Sequence, residues 1–190
     1  FDILRKKKSQ AAFAKDIEAI VSELKSLQSA YPSISRATSF VNTCKPHLAV
    51  IKSNLGSTND EYLTISSAVA NNALGMVISV VNSAQSSSNL AVNISNGTLA
   101  STINSAITAM SVIGSLDMTS TERSHFNQNN STLSSLKSQL SSLSSYGHSS
   151  YGGGSTYRSS SSSSSDDTNW GCIILIIIDV IIMIIAAVNG

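Results

Sequence analysis

The sequence predicts an all-α protein in three parts: an antiparallel helical bundle of about five helices, a disordered Ser/Gly-rich tether and a C-terminal transmembrane helix. Three observations predict this order. Apolar residues recur at intervals of three and four over residues 9–145, residues 146–170 hold almost no aliphatic side chain, and residues 171–188 form a continuous apolar run. Because no segment alternates with a period of two between turn signals, strands are not expected.

The first eight residues, 1–8, are interpreted as a basic leader, because four consecutive basic residues, Arg5 to Lys8, precede the first apolar stripe. Such a leader can contact anionic lipid at about 1 kcal/mol per charge, or it can be a solvated connection to an upstream domain. The chain begins with Phe1, so we expect it to be a processed product or part of a longer protein.

The clearest amphipathic helix covers residues 9–31 and ends at Pro32, whose ring cannot continue a helix. Its apolar side chains are spaced by 4, 3, 4 and 3 positions, which is a heptad pattern along one face. This face, the N-terminal seam, is the candidate interaction face and consists of Phe13, Ile17, Ile20, Leu24 and Leu27. Packing inside a bundle is its simplest interpretation, since three heptads are short for a free-standing coiled coil. An intermolecular coiled coil is the alternative.

Two further helices are predicted in the first half of the bundle. Apolar residues at helical spacing cover residues 33–55, where Pro46 predicts a kink or the start of a new helix, and Gly56 predicts a C-terminal cap. Thr58-Asn-Asp-Glu61 matches a capping box, in which a hydroxyl and a carboxylate three residues later satisfy free amides at a helix start. A helix is therefore expected over residues 59–85.

The second half of the bundle follows a predicted loop at residues 86–97, which ends in the turn signal Asn96-Gly97. An apolar stripe from Leu99 to Ile113 predicts the next helix. A second capping box, Thr119-Ser-Thr-Glu122, starts a helix whose leucines extend to residue 143. Since the connections are short, neighbouring helices are expected to be antiparallel.

The segment 146–170 differs in composition from the bundle, because it includes three consecutive glycines and seven consecutive serines. A segment with so few aliphatic residues cannot offset the entropy lost on ordering, so we expect a flexible tether. A random coil of about 25 residues spans roughly 25–30 Å. The tether therefore joins the bundle domain, residues 9–145, to the apolar run at residues 171–188.

The apolar run at residues 171–188 is long enough to cross the hydrocarbon core of a bilayer as a helix, which takes about 18 residues or more. Nine of its positions are isoleucine, and its only charge is Asp179. A central aspartate costs about 2.5–3.5 kcal/mol on the insertion scale, whereas each isoleucine contributes about −0.3 to −0.6 kcal/mol, so insertion is predicted. A buried core helix, of this chain or of an oligomer, is the alternative.

Two residues of this run are candidate site residues. Asp179 is a candidate intramembrane polar site, which pairs with a partner helix or lies within a protonated oligomer. A tolerated, protonated aspartate in a strongly apolar anchor is the alternative. Cys172, at the membrane boundary, is a candidate for acylation, and an unmodified cysteine is the alternative.

The orientation of the predicted anchor rests on few charges. Arg158 is the only basic residue within 20 positions of the run, so the positive-inside rule places the bundle on the cytoplasmic side. Glycosylation acceptor patterns, at Asn93, Asn96 and Asn130 among others, favour the opposite orientation, and chance matches in a chain rich in Asn and Ser are the alternative. A GPI signal is a further alternative, for which the spacer is short.

Composition and motifs favour a protein without catalytic chemistry. The net charge is +1 and aromatic residues make up 5% of the chain, which argues against nucleic-acid binding. The sequence contains no P-loop, GxGxxG, HExxH, GxSxG or paired CxxC pattern. Cys44-x-x-His47 comes nearest to a metal or nucleophile pair, but a zinc site needs about four ligands. We therefore predict no catalytic residue, metal, cofactor or small-molecule substrate.

Together these features predict a non-enzymatic, single-pass, tail-anchored membrane protein whose helical bundle acts as an interaction or scaffold module. Its expected partners are the lipid bilayer and either another protein or a second copy of the chain. The order of bundle, tether and anchor resembles syntaxin-like membrane fusion proteins in outline, but those carry a long heptad motif where this chain has Gly and Ser, so no family is assigned. The alternative is a pore-forming protein in which the isoleucine-rich helix oligomerises and Asp179 lines the pore.

Overall fold

The computed structural model describes residues 2–86 and 90–146, which form six α-helices and no strand. The helices are α1 (Asp2–Gln28), α2 (Ile34–Leu55), α3 (Asp60–Ser86), α4 (Leu90–Ser95), α5 (Thr98–Gly114) and α6 (Ser120–Tyr146). The prediction of an all-helical bundle is confirmed for this part of the chain. The predicted tether and C-terminal helix lie outside the described residues.

Helix α1 begins at Asp2, so the backbone of the predicted basic leader continues directly into the helix that carries the N-terminal seam. The helix ends at Gln28, three residues before the expected end and ahead of Pro32. It packs mainly against α2 and only marginally against α3. Helix α1 therefore lies at the edge of the bundle.

Helix α2 runs without interruption through Pro46, so the predicted start of a new helix at this residue is wrong. The ring nitrogen of Pro46 cannot donate a hydrogen bond to the carbonyl of Asn42. The apolar stripe nevertheless continues on both sides, because Cys44 and Leu48 are both buried. Packing of this stripe against α1 and α3 offsets the local cost of the proline, which is about 3 kcal/mol.

The predicted caps are confirmed in two places and shifted in a third. Gly56 has φ of 95° and its N–H donates to the Lys52 carbonyl over 2.8 Å, which closes α2 as expected. The Thr119 hydroxyl accepts a 3.3 Å hydrogen bond from the Glu122 N–H at the start of α6, which confirms the hydroxyl half of the second capping box, whereas the Thr119 N–H donates to the Ser67 hydroxyl instead of the Glu122 carboxylate. At α3, however, the side-chain oxygen of Asn59 accepts from the N–H groups of Glu61 and Tyr62, over 2.9 and 3.2 Å. Asn59, rather than the expected Thr58, caps this helix.

The predicted loop at residues 86–97 contains the short helix α4, which sequence periodicity did not indicate. The turn signal after α4 is confirmed. Gly97 adopts φ of 76°, a conformation that costs glycine little, and the Asn96 side-chain oxygen accepts a 2.9 Å hydrogen bond from the Thr98 N–H. This turn reverses the chain into α5.

Helix α3 is the most enclosed element, because it contacts each of the other five helices. The core around it is almost entirely aliphatic, with a few aromatic rings. The largest fully buried side chains are Phe13, Ile20, Ile51, Ile103, Met110 and Ile113. The apolar stripes of the described helices are thus buried in one common core.

The helices run up and down between two ends of the bundle. We call one of them the α4 end. Helices α1, α3 and α6 finish at this end, and helices α2 and α5 begin there. One groove at this end is lined by both Leu27 and Ser86, and another by both Gly97 and Leu140. At the opposite end, Lys52 of α2 contacts Asp117, between α5 and α6. The last described residue, Tyr146, therefore leaves the bundle at the α4 end.

Candidate functional site

The N-terminal seam lies in the core of the bundle. Its five side chains are only 1–6% exposed and belong to one apolar cluster with residues of α2 and α3. This placement fits the packing of an ordinary bundle helix. The role of the seam as an interaction face stays a prediction, because a partner reaches these side chains only if α1 separates from α2.

One polar contact crosses the α1–α2 packing. The Nδ1 atom of His47 lies 2.8 Å from the Asp16 carboxylate, and both side chains are partly buried. A carboxylate and an imidazole at this distance form a hydrogen bond, which becomes an ion pair when the imidazole is protonated. This contact helps to hold α1 against α2, so His47 faces a partner carboxylate rather than solvent alone.

Cys44 lies one turn before His47 and is fully buried. Burial, together with the nearby negative charge of Glu23, raises the pKa of the Cys44 thiol to about 12. The thiol is therefore neutral at physiological pH, whereas both nucleophilic attack and metal binding require the thiolate. Among the described residues, no group of three or more histidine, cysteine or acidic side chains gathers where it could hold a metal ion.

The most strongly interacting polar cluster lies at the opposite end of the bundle and joins three elements. The Asp117 carboxylate accepts hydrogen bonds from the Lys52 ammonium group over 2.9 Å and from the Tyr62 hydroxyl over 2.5 Å. These two hydrogen bonds lower the pKa of Asp117, and burial followed by the contact with Asp117 raises the pKa of Tyr62 to about 12. At neutral pH the cluster is an ion pair with a bonded phenol, which clamps α2 and α3 to the α5–α6 connection.

Sequence reasoning did not find this cluster. Lys52, Tyr62 and Asp117 are separated by 10 and 55 positions and share no motif. One indirect signal existed, because Tyr62 begins the apolar stripe of α3 and a buried tyrosine hydroxyl needs a hydrogen-bond partner. Nothing in the pattern identified which carboxylate or amide would supply that partner.

Arg123, in the first turn of α6, is also committed to the fold. Its two terminal guanidinium nitrogens donate to the carbonyl oxygens of Gly114 and Leu116, over 3.0 and 2.6 Å. These carbonyls lie at and just beyond the end of α5, where unpaired acceptors carry partial negative charge. The guanidinium carbon also lies 5.5 Å from the centre of the Phe126 ring. Arg123 thus closes α5 rather than offering a free cation for a ligand.

Two surface grooves of the described part lack a constellation for catalysis. A groove of about 430 Å³ lies between α4, α5 and α6, and Lys137 is the only ionisable side chain in its lining. A second groove, of about 540 Å³, lies between the end of α1 and α3 and is lined by apolar, serine and amide side chains. Neither groove pairs a nucleophile with a base, which covalent chemistry requires.

Among the described residues, one helix, α3, is long and apolar enough to cross a membrane on those two criteria alone. More than half of its most apolar window is buried inside the bundle, and a core helix of a soluble protein meets the same criteria. The feature is therefore weak support for a membrane location. Asp179 and Cys172, the two candidate residues of the apolar run, lie outside the described residues.

Comparison with known proteins identified no relative: the chain matches no protein-family model, no curated protein and no solved structure. Its function must therefore be argued from its own residues.

Proposed function

We propose that the protein is a non-enzymatic, tail-anchored membrane protein whose helical bundle serves as an interaction or scaffold module on the cytoplasmic side. The observation that carries this proposal is the apolar run at residues 171–188, with nine isoleucines and a single charge. A segment of this length and composition satisfies its own backbone hydrogen bonds in lipid only as a helix.

The packing of the bundle supports assigning the membrane span to this run rather than to α3. Helix α3 lies among the other helices, and its apolar residues fill the core of the described part. Moving α3 into lipid would expose the apolar faces of α2 and α5 to water, at roughly 25 cal/mol for each Å² uncovered. A separate anchor leaves the bundle intact.

The proposed interaction surface is the helix face that α1 shares with α2. Because α1 packs mainly against α2, a partner helix can replace it by disturbing one packing surface. The N-terminal seam then offers apolar side chains at positions spaced to fit a helix–helix interface. In this proposal, α1 both completes the resting bundle and supplies the contact with a partner protein or a second copy.

The orientation can be tested with the glycosylation patterns that the chain already contains. We would add an acceptor site after Gly190 and express the chain with microsomes. The proposal predicts glycosylation of the added site only, because the C-terminus crosses the membrane while Asn93, Asn96 and Asn130 stay outside the lumen. Glycosylation of the bundle would reverse the orientation, and an unmodified but membrane-free chain would refute the anchor itself.

A second candidate function rests on Asp179. A carboxylate in the middle of a membrane-spanning run is costly and is often functional, so an oligomer of the isoleucine-rich helix can place Asp179 along a pore. Dye release from liposomes tests this candidate. Pore formation predicts release by the unaltered chain and a loss of release with Asp179→Leu, and an absence of release at a high protein-to-lipid ratio would eliminate it.

A further inference from the structure

Exposed apolar side chains are concentrated at the α4 end of the bundle. Five large hydrophobic side chains of the described residues are exposed, and four of them lie at this end. They are Tyr31, Leu90, Val92 and Ile94, with exposed fractions between 36 and 92%. The fifth, Val50, lies near the C-terminal end of α2, toward the opposite end of the bundle. Three of the four belong to the six-residue helix α4, where Leu90 and Ile94 lie one turn apart on one side, and Val92, the most exposed of the three, lies on the other side.

The charges of residues 34–146 follow the same axis, whereas the four basic residues 5–8 belong to the first turns of α1, at the opposite end. Residues 62–116 carry no charged side chain, and the four carboxylates between residues 34 and 146 all lie at the opposite end. These four are Asp60, Glu61, Asp117 and Glu122. In α1, the carboxylate nearest to the α4 end is Glu23, more than one turn before the helix finishes. By contrast, the exposed cations Arg36 and Lys137 lie at or near the α4 end.

The connectivity brings this end close to the predicted anchor. Helix α6 finishes at Tyr146, at the α4 end, and residues 147–170 connect it to the apolar run. The Ser/Gly-rich composition of this segment predicts a random coil, for which the root-mean-square span would be roughly 25–30 Å. The opposite end lies farther from the anchor by about 40 Å, the length of a 27-residue helix such as α6. The effective concentration of lipid should therefore be higher at the α4 end than at the opposite end of the bundle.

From these three observations we infer that the α4 end is a lipid-docking surface, on which the side of α4 that carries Val92 enters the headgroup region while Arg36 and Lys137 face anionic lipid. This inference rests on the proposed membrane anchor. Short apolar surfaces bordered by cations bind weakly alone, and they hold a protein to a bilayer when a second signal is present. Here the second signal is the transmembrane run, which makes docking intramolecular.

Two other occupants fit the geometry less well. The groove beside α4 has a volume of about 430 Å³, whereas the 18-residue run would form a helix about 27 Å long and 10 Å across, far larger than the groove. A second copy of the chain is also poorly matched. Helix α4 is about 9 Å long, too short to supply by itself the roughly 800 Å² per partner of a standard interface. A bilayer surface, by contrast, can contact the short helix α4 without a matching groove or a large complementary interface.

The experiment compares two valines in the full-length chain. Cys172 is replaced by serine, and either Val92→Cys or Val50→Cys supplies an exposed thiol for an environment-sensitive fluorophore. Cys44 stays in place because it is buried and its raised pKa keeps the thiol protonated. Both labelled chains are reconstituted into vesicles of phosphatidylcholine and phosphatidylserine, with and without bromine on the acyl chains.

Lipid docking predicts that brominated lipid reduces the fluorescence at position 92 and leaves position 50 unchanged. If both chains float with the vesicles but neither label responds to bromine, the lipid-docking inference is wrong and the membrane anchor stands. If the label at position 92 is shielded from aqueous iodide and still insensitive to brominated lipid, a protein segment covers α4, and the inference is also wrong. A chain that does not float with vesicles overturns the anchor and the docking surface together.

Discussion

Two neighbouring serines of α3 provide a direct test of how the core is built. Ser66 and Ser67 are both buried, with exposed fractions of 0% and 6%. The Ser67 hydroxyl accepts a 2.9 Å hydrogen bond from the Thr119 N–H, whereas the Ser66 hydroxyl has no partner at hydrogen-bond geometry among the described residues and makes only a weak contact with Tyr62, which acts to lower the pKa of Tyr62. Substitution of each by alanine removes the same atom from the same helix, so the two variants differ mainly in that hydrogen bond.

The expected magnitudes follow from this difference. Alanine is a better helix former than serine by roughly 0.5 kcal/mol, a gain that both variants share. Removal of an unpaired buried hydroxyl recovers part of its desolvation cost, so Ser66→Ala should raise the free energy of unfolding by about 1 kcal/mol. Ser67→Ala leaves the Thr119 N–H without its partner, and it should lower the free energy of unfolding by about 1 kcal/mol. The two variants should therefore differ by about 2 kcal/mol.

Urea denaturation followed by far-ultraviolet circular dichroism, in a mild detergent that keeps the full chain soluble, measures both values. The denaturation midpoints of the two variants should move in opposite directions, while the slope of the transition stays constant. If Ser66→Ala destabilises the bundle as much as Ser67→Ala does, the Ser66 hydroxyl makes a stabilising hydrogen bond in the folded protein. The reasoning about unpaired polar groups in this core would then be refuted.

Three further predictions address the site residues. The pKa of Tyr62 is raised in the folded state to about 12 from its ordinary value of 10.0. The Tyr62 hydroxyl therefore contributes fully to the free energy of unfolding below pH 10, and this contribution is lost as pH rises toward 12. Tyr62→Phe should flatten this alkaline decline in denaturation curves measured at increasing pH. In the Cys172→Ser variant, Cys44 should fail to react with a thiol reagent in the native state and react fully in guanidinium chloride, and native reactivity would contradict its burial. Ile17→Asp places a charge in the core, so it should lower the free energy of unfolding by roughly 3 kcal/mol or more. Ser22→Asp lies on an exposed face of α1 and should change the free energy of unfolding by about 0.5 kcal/mol or less. Equal effects would show that the N-terminal seam is not packed.

Long helices with a regular apolar stripe were predictable from the sequence. The stripes of α2, α3 and α5 repeat at intervals of three and four, and each becomes a buried face in the structure. The seam of α1 was predictable for the same reason, including its simplest interpretation as a bundle face. Glycine positions were informative where the backbone needs a positive φ, as at Gly56 and Gly97.

The features that were missed depend on short elements or on distant contacts. Helix α4 has six residues, fewer than two turns, so no periodicity could distinguish it from a loop. Thr58 and Asn59 are both good capping residues, and only the path of the backbone decides between them. The bonds from Lys52 and Tyr62 to Asp117 join residues that come together only when the whole bundle forms. At Pro46 one continuous helix forms instead of a new helix start, because packing on both sides of the ring outweighs its local preference.

The central claim is that residues 171–188 hold a folded helical bundle at a membrane. Carbonate extraction of membranes from cells that express the chain, with and without residues 171–190, tests this claim most directly. If residues 171–188 span the membrane, the intact chain should stay in the membrane pellet and the shortened chain should be released into the supernatant. Release of both forms would contradict it, because the isoleucine-rich run would then pack against protein rather than span lipid.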